Sequence, residues 1–360
     1  MGDLVAGDLR ETFGGKRALV TGSTGFKGSW LACWLHLLGA EVYGYALGPE
    51  RREDLFSSTG LGSIIHQEIG DVRDYLHLHA FMKDVRPAFV FHLAAQPLVR
   101  RSYLEPKLTV DTNVGGSLNL LEAVRNTPGI HALVYVTSDK CYRNREWCWG
   151  YRENDELGGR DPYSASKAAA EILFAAYASS FFDSLRGFGA ASVRAGNVIG
   201  GGDWSQDRIV PDCIRALEKE QPIRLRHPDA TRPWQHVLEP LAGYLILARH
   251  LLDDPVRFRG SYNFGPDSGT MKTVRELAEG IIREWGRGAI ELAPGEGEHG
   301  EAGILHLNSD KARQLLGWRP RWDFRETVGR TVAWYKQAHE GRDPLDLTVR
   351  QISDYQEGWS

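Results

Sequence analysis

The sequence predicts an α/β chain built on a doubly wound parallel sheet, with a smaller, mostly C-terminal substrate-binding lobe. Three observations predict it. An apolar strand at 17–21 runs straight into Gly22–Ser23–Thr24–Gly25–Phe26–Lys27–Gly28 and then into an apolar-periodic segment at 29–38, which is the strand, glycine turn and helix of a phosphate site. β-Branched and apolar runs then alternate with helical periodicity through residue 195, as parallel strands covered on both faces require. At 196–204 the composition changes, with Gly196, Gly200, Gly201 and Gly202 crowding one bend, so the chain leaves the sheet there. Together these read as a Rossmann-type dinucleotide-binding domain over 14–195 with 235–265, and a second lobe over 196–234 with 266–340.

With 360 residues the chain can bury a substantial core. Its 43 basic and 47 acidic residues leave a formal charge of −4, which creates no field for nucleic acid or an anionic membrane. Any anionic ligand must therefore be held locally. Cys33, Cys141, Cys148 and Cys213 form no Cys-x-x-Cys pair and no disulfide framework. No apolar run approaches the roughly 18 residues of a membrane span, and residues 1–10 lack a targeting pattern. The expectation is a soluble, cytoplasmic protein with no metal site.

Taken in order, the glycines follow Gly-x-x-Gly-x-x-Gly spacing, and strand and helix flank them on the correct sides for dinucleotide binding. A second strand at 41–47 ends in Gly48–Pro49–Glu50–Arg51–Arg52. Glu50 could hold an adenosine ribose and Arg51 or Arg52 a 2′-phosphate, and all three are equally read as solvated loop charges. NAD against NADP stays open at this point. Residues 69–72 and a helix at 76–85 lead to a strand at 89–93, which delivers Ala94–Ala95–Gln96, residues small enough for a ring or diphosphate to approach the backbone. Asp71 could accept from an adenine amine. Asp71 and His92 also read as a turn cap and a satisfied strand histidine.

A long helix at 106–126 carries Asn113, and the run 133–136 then ends in Thr137–Ser138–Asp139–Lys140 at the carboxyl end of a buried strand, where open α/β sheets place their chemistry. Asp161 and Pro162 start another helix, on which Tyr163 and Lys167 fall four residues apart on one face. A phenol with a reference pKa of about 10 is a poor base, and a neighbouring ammonium favours its phenolate. The aromatic loop 147–155 either covers the site or packs locally. Arg224, Arg226, His227, Arg232 and Trp234 form either a solvated face or a diphosphate clamp. Helices at 240–252, 273–285, 310–316 and 324–339 follow, and a strand at 261–265 rejoins the sheet. Nothing is read beyond 341.

The glycine motif, His92–Leu93–Ala94–Ala95–Gln96, Asn113 and Tyr163-x-x-x-Lys167 resemble the extended short-chain dehydrogenase/reductase superfamily over residues 14–336. Within it, Phe26–Lys27–Gly28–Ser29–Trp30, Gln96–Pro97–Leu98–Val99–Arg100, Thr137–Ser138–Asp139–Lys140, the stretch 149–155 and Arg232–Pro233–Trp234–Gln235–His236–Val237 are similar to the CDP-glucose 4,6-dehydratases. The resemblance implies NAD, bound by Gly22, Gly25, Phe26, Lys27, Gly28, Asp71, Val72, Leu93, Ala94, Ala95, Gln96, Asn113, Tyr163 and Lys167. It implies that Tyr163 and Lys167 act on a sugar 4-hydroxyl with Ser138 positioning it. Asp139 would protonate a departing 6-hydroxyl, and Lys140 stands where thymidine-sugar dehydratases have a glutamate base. Gln96, Ser138, Arg194, Asn197, Arg208, Arg232 and Trp234 are the candidates for binding CDP-glucose.

A homodimer or homotetramer is implied by helices 106–126 and 163–182. The rivals are a 4-epimerase or reductase, which needs neither acid nor base after the central strand, and a non-catalytic dinucleotide sensor, whose site would be degenerate.

Overall fold

Six strands, β1 (Arg17–Thr21), β2 (Glu41–Ala46), β3 (His66–Ile69), β4 (Phe89–His92), β5 (Ala132–Val136) and β6 (Gly189–Arg194), form one sheet with an edge strand Gly260–Asn263. The computed structural model describes residues 6–267, 271–293 and 304–357. Residues 1–5 of the segment searched for a targeting pattern, and 268–270 and 294–303 of the expected second lobe, lie outside them. The order is edge strand, β6, β5, β4, β1, β2, β3, and every pairing is parallel. From β1 the chain steps outward to β3, returns to β4, and steps outward the other way. The reversal between β1 and β4 is a topological switch point, which opens a crevice beyond the carboxyl ends of the strands.

β4 and β5 are apolar throughout because every residue of both is buried. His92 is the exception in chemistry only. Thr21 Oγ1 lies 2.7 Å from its Nδ1, and Ser117 Oγ 3.4 Å from its Nε2, while burial, with the Lys167 charge, pushes it down to about 3. It is the satisfied, neutral strand histidine.

Beyond β6 the chain builds pairs of very short strands. Val198–Ile199 pairs with Gln235–His236, Ile223–Leu225 with Ile290–Leu292, and Thr231–Arg232 with Lys272–Thr273. Helices Ile209–Glu218 and Val274–Trp285 pack on them, the second opened by a capping box between Thr273 and Glu276.

Several elements differ from the sequence reading, among them strand His66–Ile69 and helix Ile209–Glu218, which it did not contain. The helix expected at 106–126 is Pro106–Val110 and Gly116–Arg125 joined by a π turn, Asp111–Gly115, with a further helix Val99–Leu104 before it. Such turns gather at functional sites, and this one carries Asn113. Helix Ala6–Phe13 was unread, although it buries Leu9 and Phe13. So was Pro344–Glu357, whose anchor is tertiary: Tyr355 OH donates to Glu239 Oε2 at 2.7 Å, and Trp322 N to Glu239 Oε1 at 2.8 Å.

Candidate active site

At the carboxyl ends of the strands lies one cleft of about 2720 Å³, against roughly 300–1,000 Å³ for a pocket that takes one drug-sized ligand. It has room for two extended ligands. One wall is the turn after β1 and the start of helix Phe26–Leu37, whose N-cap Gly25 offers no side-chain cap, so its first N–H groups and the positive end of its dipole remain for an anion. A Cβ on Gly28 would stand 2.0 Å from the Gly22 carbonyl oxygen. Helix and turn touch because no side chain intervenes. This cradle fits a diphosphate, and every residue expected to bind the cofactor borders the cleft except Asn113.

Asn113 is a correction. It is buried behind the wall, its Oδ1 accepts from Gln96 N at 2.8 Å, and its Nδ2 donates to Gln96 O at 3.1 Å and Ser166 Oγ at 2.9 Å. It holds the Gln96 backbone and the Tyr163 helix. In the loop after β2, Glu50 and Arg51 border the cleft, Arg52 is exposed, and Arg51 Nη1 donates to Trp204 O at 2.7 Å. The Asp71 carboxylate accepts from Arg73 Nε at 2.9 Å, which holds it below its ordinary range as an ionised acceptor.

The opposite wall carries the chemistry. The Asp161 carboxylate caps helix Pro162–Tyr177, accepting from Ser164 N at 2.9 Å and Ser164 Oγ at 2.6 Å, so Tyr163 and Lys167 project together into the cleft, both buried. Ser138, just past β5, hydrogen-bonds the Tyr163 side chain. Ser138 Oγ also donates to Asp139 Oδ1 at 3.0 Å and accepts from Lys140 N at 3.2 Å. From the bend after β6, Asn197 Nδ2 donates to Asp139 Oδ2 at 3.4 Å. A Cβ on Gly196 would meet that oxygen at 1.9 Å. The bend after β6 and the turn after β5 therefore clasp each other around one carboxylate.

Burial dominates the electrostatics here. It pushes Tyr163 up to about 12, against the Ser138 hydrogen bond and the Arg208 charge, with Asp139 adding to the rise. It pushes Lys167 down to about 8, with Glu171 opposing, and Lys27 down to about 8, with Arg208 and Lys167 helping and Asp139 and Asp203 opposing. Lys27, expected from the sequence to bind the cofactor, is also a charged neighbour of the reacting end. Arg208 bridges to Asp203 at 2.8 Å.

Asn197, Arg208, Arg232 and Trp234 border the cleft with Gln96, Ser138 and Lys140, whereas Arg194 does not. Arg194 is the second correction: its guanidinium is buried and donates to Glu171 Oε2 at 2.6 Å, Tyr142 OH at 2.7 Å and Glu153 O at 2.9 Å. The charge at the end of β6 is satisfied inside the protein. Of the basic cluster, Arg224, Arg226 and His227 also reach the cleft. The aromatic loop packs locally: Trp147 lies on Tyr151 at 5.3 Å between ring centroids, Tyr151 stacks on Tyr142 at 5.1 Å, and Trp149 is exposed.

A parallel sheet reversing at a glycine cradle, with a buried Tyr–Lys pair facing a Ser–Asp strand end, defines an extended short-chain dehydrogenase/reductase. Residues 19–331 match the family described as GDP-mannose 4,6 dehydratase, and the chain belongs to that family. It is 49% identical over 345 residues to the CDP-glucose 4,6-dehydratase of Salmonella typhimurium, covering 95% of this chain and 96% of that one. It is 30% identical to a dTDP-glucose 4,6-dehydratase of Streptomyces antibioticus, covering 91% and 94%. Among solved structures, the UDP-glucose 4-epimerase of Thermus thermophilus in complex with NAD superimposes with a TM-score of 0.76 at 27% identity, covering 89% and 99%.

Proposed function

We propose that this enzyme converts CDP-glucose to CDP-4-dehydro-6-deoxyglucose and water, by oxidation at C4, elimination across C5 and C6, and return of the hydride to C6. The observation that carries the reading is the meeting of Tyr163 and Lys167 with Ser138, Asp139 and Lys140 in one cleft, on a chain 49% identical to a CDP-glucose 4,6-dehydratase. An epimerase needs the first pair alone. The glycine cradle, Asp71, Val72 and the 93–96 wall would hold NAD. When bound, NAD takes up the C4 hydride and later gives it back, so no net redox change results.

The chain's own residues move the protons. Tyr163 accepts the 4-hydroxyl proton while Ser138 orients that hydroxyl, and Lys167 supplies the positive charge that makes a phenolate accessible. The 4-ketone acidifies the C5 hydrogen. Lys140 takes that proton and must be neutral to do so, while Asp139 delivers one to the departing 6-hydroxyl and must be protonated first. Asn197, Arg208, Arg232 and Trp234, with the remainder of 196–234 and 266–340, form the nucleotide-sugar lobe in this reading. Incubation with a panel of nucleotide hexoses, read by mass spectrometry, tests it: loss of one water from CDP-glucose alone supports the assignment, and loss from another nucleotide sugar overturns the choice of base.

The reading also makes the enzyme a homodimer or homotetramer of the cytoplasm. Among the described residues no helix is long and apolar enough to cross a membrane, and all four cysteines are free. Helices Pro106–Val110, Gly116–Arg125 and Pro162–Tyr177 expose Val110, Leu118 and Ile172, an apolar face suited to pairing between copies. Sedimentation at micromolar protein is expected to show at least a dimer, and a monomer alone would refute it.

A further inference from the structure

Lys167 must carry positive charge, yet its ammonium is buried and no group among the described residues hydrogen-bonds it. One turn further along the same helix face stands Glu171, the largest influence opposing the downward push of burial on Lys167. Its carboxylate is held from three sides. Thr137 Oγ1 donates to Oε1, and Ser192 Oγ and Arg194 Nη2 donate to Oε2 at 2.8 and 2.6 Å. The Glu171 and Arg194 side chains are 2% and 3% exposed. The carboxylate is thus paired with one guanidinium and two hydroxyl donors inside the protein.

The three donors come from two elements. Thr137 immediately precedes Ser138, while Ser192 and Arg194 lie on β6; Arg194 Nη2 also donates to Ser261 Oγ on the edge strand at 3.1 Å. The helix carrying Tyr163 and Lys167 is thus joined through one carboxylate to the strand end carrying Ser138 and Asp139.

We propose that Glu171 is a positioning residue for the Tyr163–Lys167 pair: clamped by Arg194, Ser192 and Thr137, it keeps the Lys167 ammonium charged and fixes its helix against the end of β5. The proposal rests on the reading of Tyr163 and Lys167 given above and goes beyond it, since neither Glu171 nor Arg194 borders the cleft. The other titratable groups around Lys167 are Lys27 from the first helix of the sheet domain, neutral His92 from β4, Cys141 from the turn after Ser138, and Tyr163 on its own helix. Tyr135 of β5 and Cys141 also face Glu171. Both are pushed above their ordinary values by burial.

Removing the Glu171 carboxylate lets burial act unopposed, so Lys167 should lose its proton at a lower pH and the alkaline limb of activity should move the same way. The test is competitive amine labelling of the ligand-free protein across pH, read at the Lys167 peptide by mass spectrometry. Glu171→Gln is expected to lower the Lys167 midpoint by about 1 pH unit, the scale of one nearby opposite charge, and to move the alkaline limb of kcat equally. Glu171→Asp, which keeps the charge, should stay closer to the parent. Should Glu171→Gln not fold, because it strands Arg194, the double variant Glu171→Met with Arg194→Met removes both charges and is expected to shift in the same direction. An unchanged midpoint in the neutral variant, or an aspartate variant that moves as far as the glutamine, would overturn the proposal. A parent enzyme inactive on every nucleotide sugar would instead sink the reaction reading, and would leave the labelling result standing.

Discussion

Tyr163→Phe is expected to lower turnover by roughly 10²–10⁴-fold, the usual contribution of a positioned proton acceptor, while leaving the fold intact. The ring fills the same buried volume, and its helix keeps the Asp161 cap and the Pro162 start. What is lost is the oxygen that hydrogen-bonds Ser138. Burial and the Asp139 charge both raise this phenol in the free protein, so the group performs poorly as a base unless positive charge gathers around it. Near-normal turnover by the phenylalanine variant, with an unchanged circular dichroism spectrum, would remove Tyr163 from the mechanism.

The second large effect separates a dehydratase from other enzymes on this scaffold. Asp139→Asn with Lys140→Ala should still oxidise C4, because Tyr163, Lys167 and Ser138 are untouched, but elimination should fall by at least about 10²-fold. Mass spectrometry of a single turnover should then find a sugar lacking two hydrogens instead of one lacking water. Asparagine keeps an oxygen to accept from Ser138 Oγ, a turn of the Asn197 amide lets its oxygen accept from the new NH2, and Gly196 leaves the space that the side chain of residue 139 occupies, so the clasp should survive. With the parent, substrate deuterated at C4 should yield product deuterated at C6, and solvent should supply the hydrogen at C5. Elimination at close to the normal rate in the double variant would show that the two groups have been given the wrong tasks.

Much of this was readable before any coordinates because it is local. Strand β1, the glycine turn and the helix after it are consecutive, and Asp161, Pro162, Tyr163 and Lys167 lie within two turns of one helix. The residues that misled are those whose partners are remote. Arg194 at the end of an apolar strand looks like a ligand-binding cation until Glu171 is found against it, 23 residues earlier in the chain. Asn113 looked like a cofactor contact and proved to hold the Gln96 backbone. Helix Pro344–Glu357 buries one face through Leu347, Ile352 and Tyr355, but its anchor at Glu239 is 116 residues away from Tyr355. Glu171 itself was within reach of the sequence, since it stands eight residues after Tyr163 on the same helical face, and a carboxylate there has no surface reason to be conspicuous.

The short strand pairs of the second lobe bear on the order in which the molecule assembles. Ile223–Leu225 waits for Ile290–Leu292, and Thr231–Arg232 for Lys272–Thr273, and between the members of each pair the chain returns to lay down the edge strand Gly260–Asn263. Closing such loops loses chain entropy before two- or three-residue ladders give anything back. The sheet is therefore expected to form before these ladders close, and native-state hydrogen exchange should find the clasp of Asn197 on Asp139 opening before the sheet does. A ligand that touches both walls would hold that joint shut, and part of its binding energy would be expressed as resistance of the chain to unfolding.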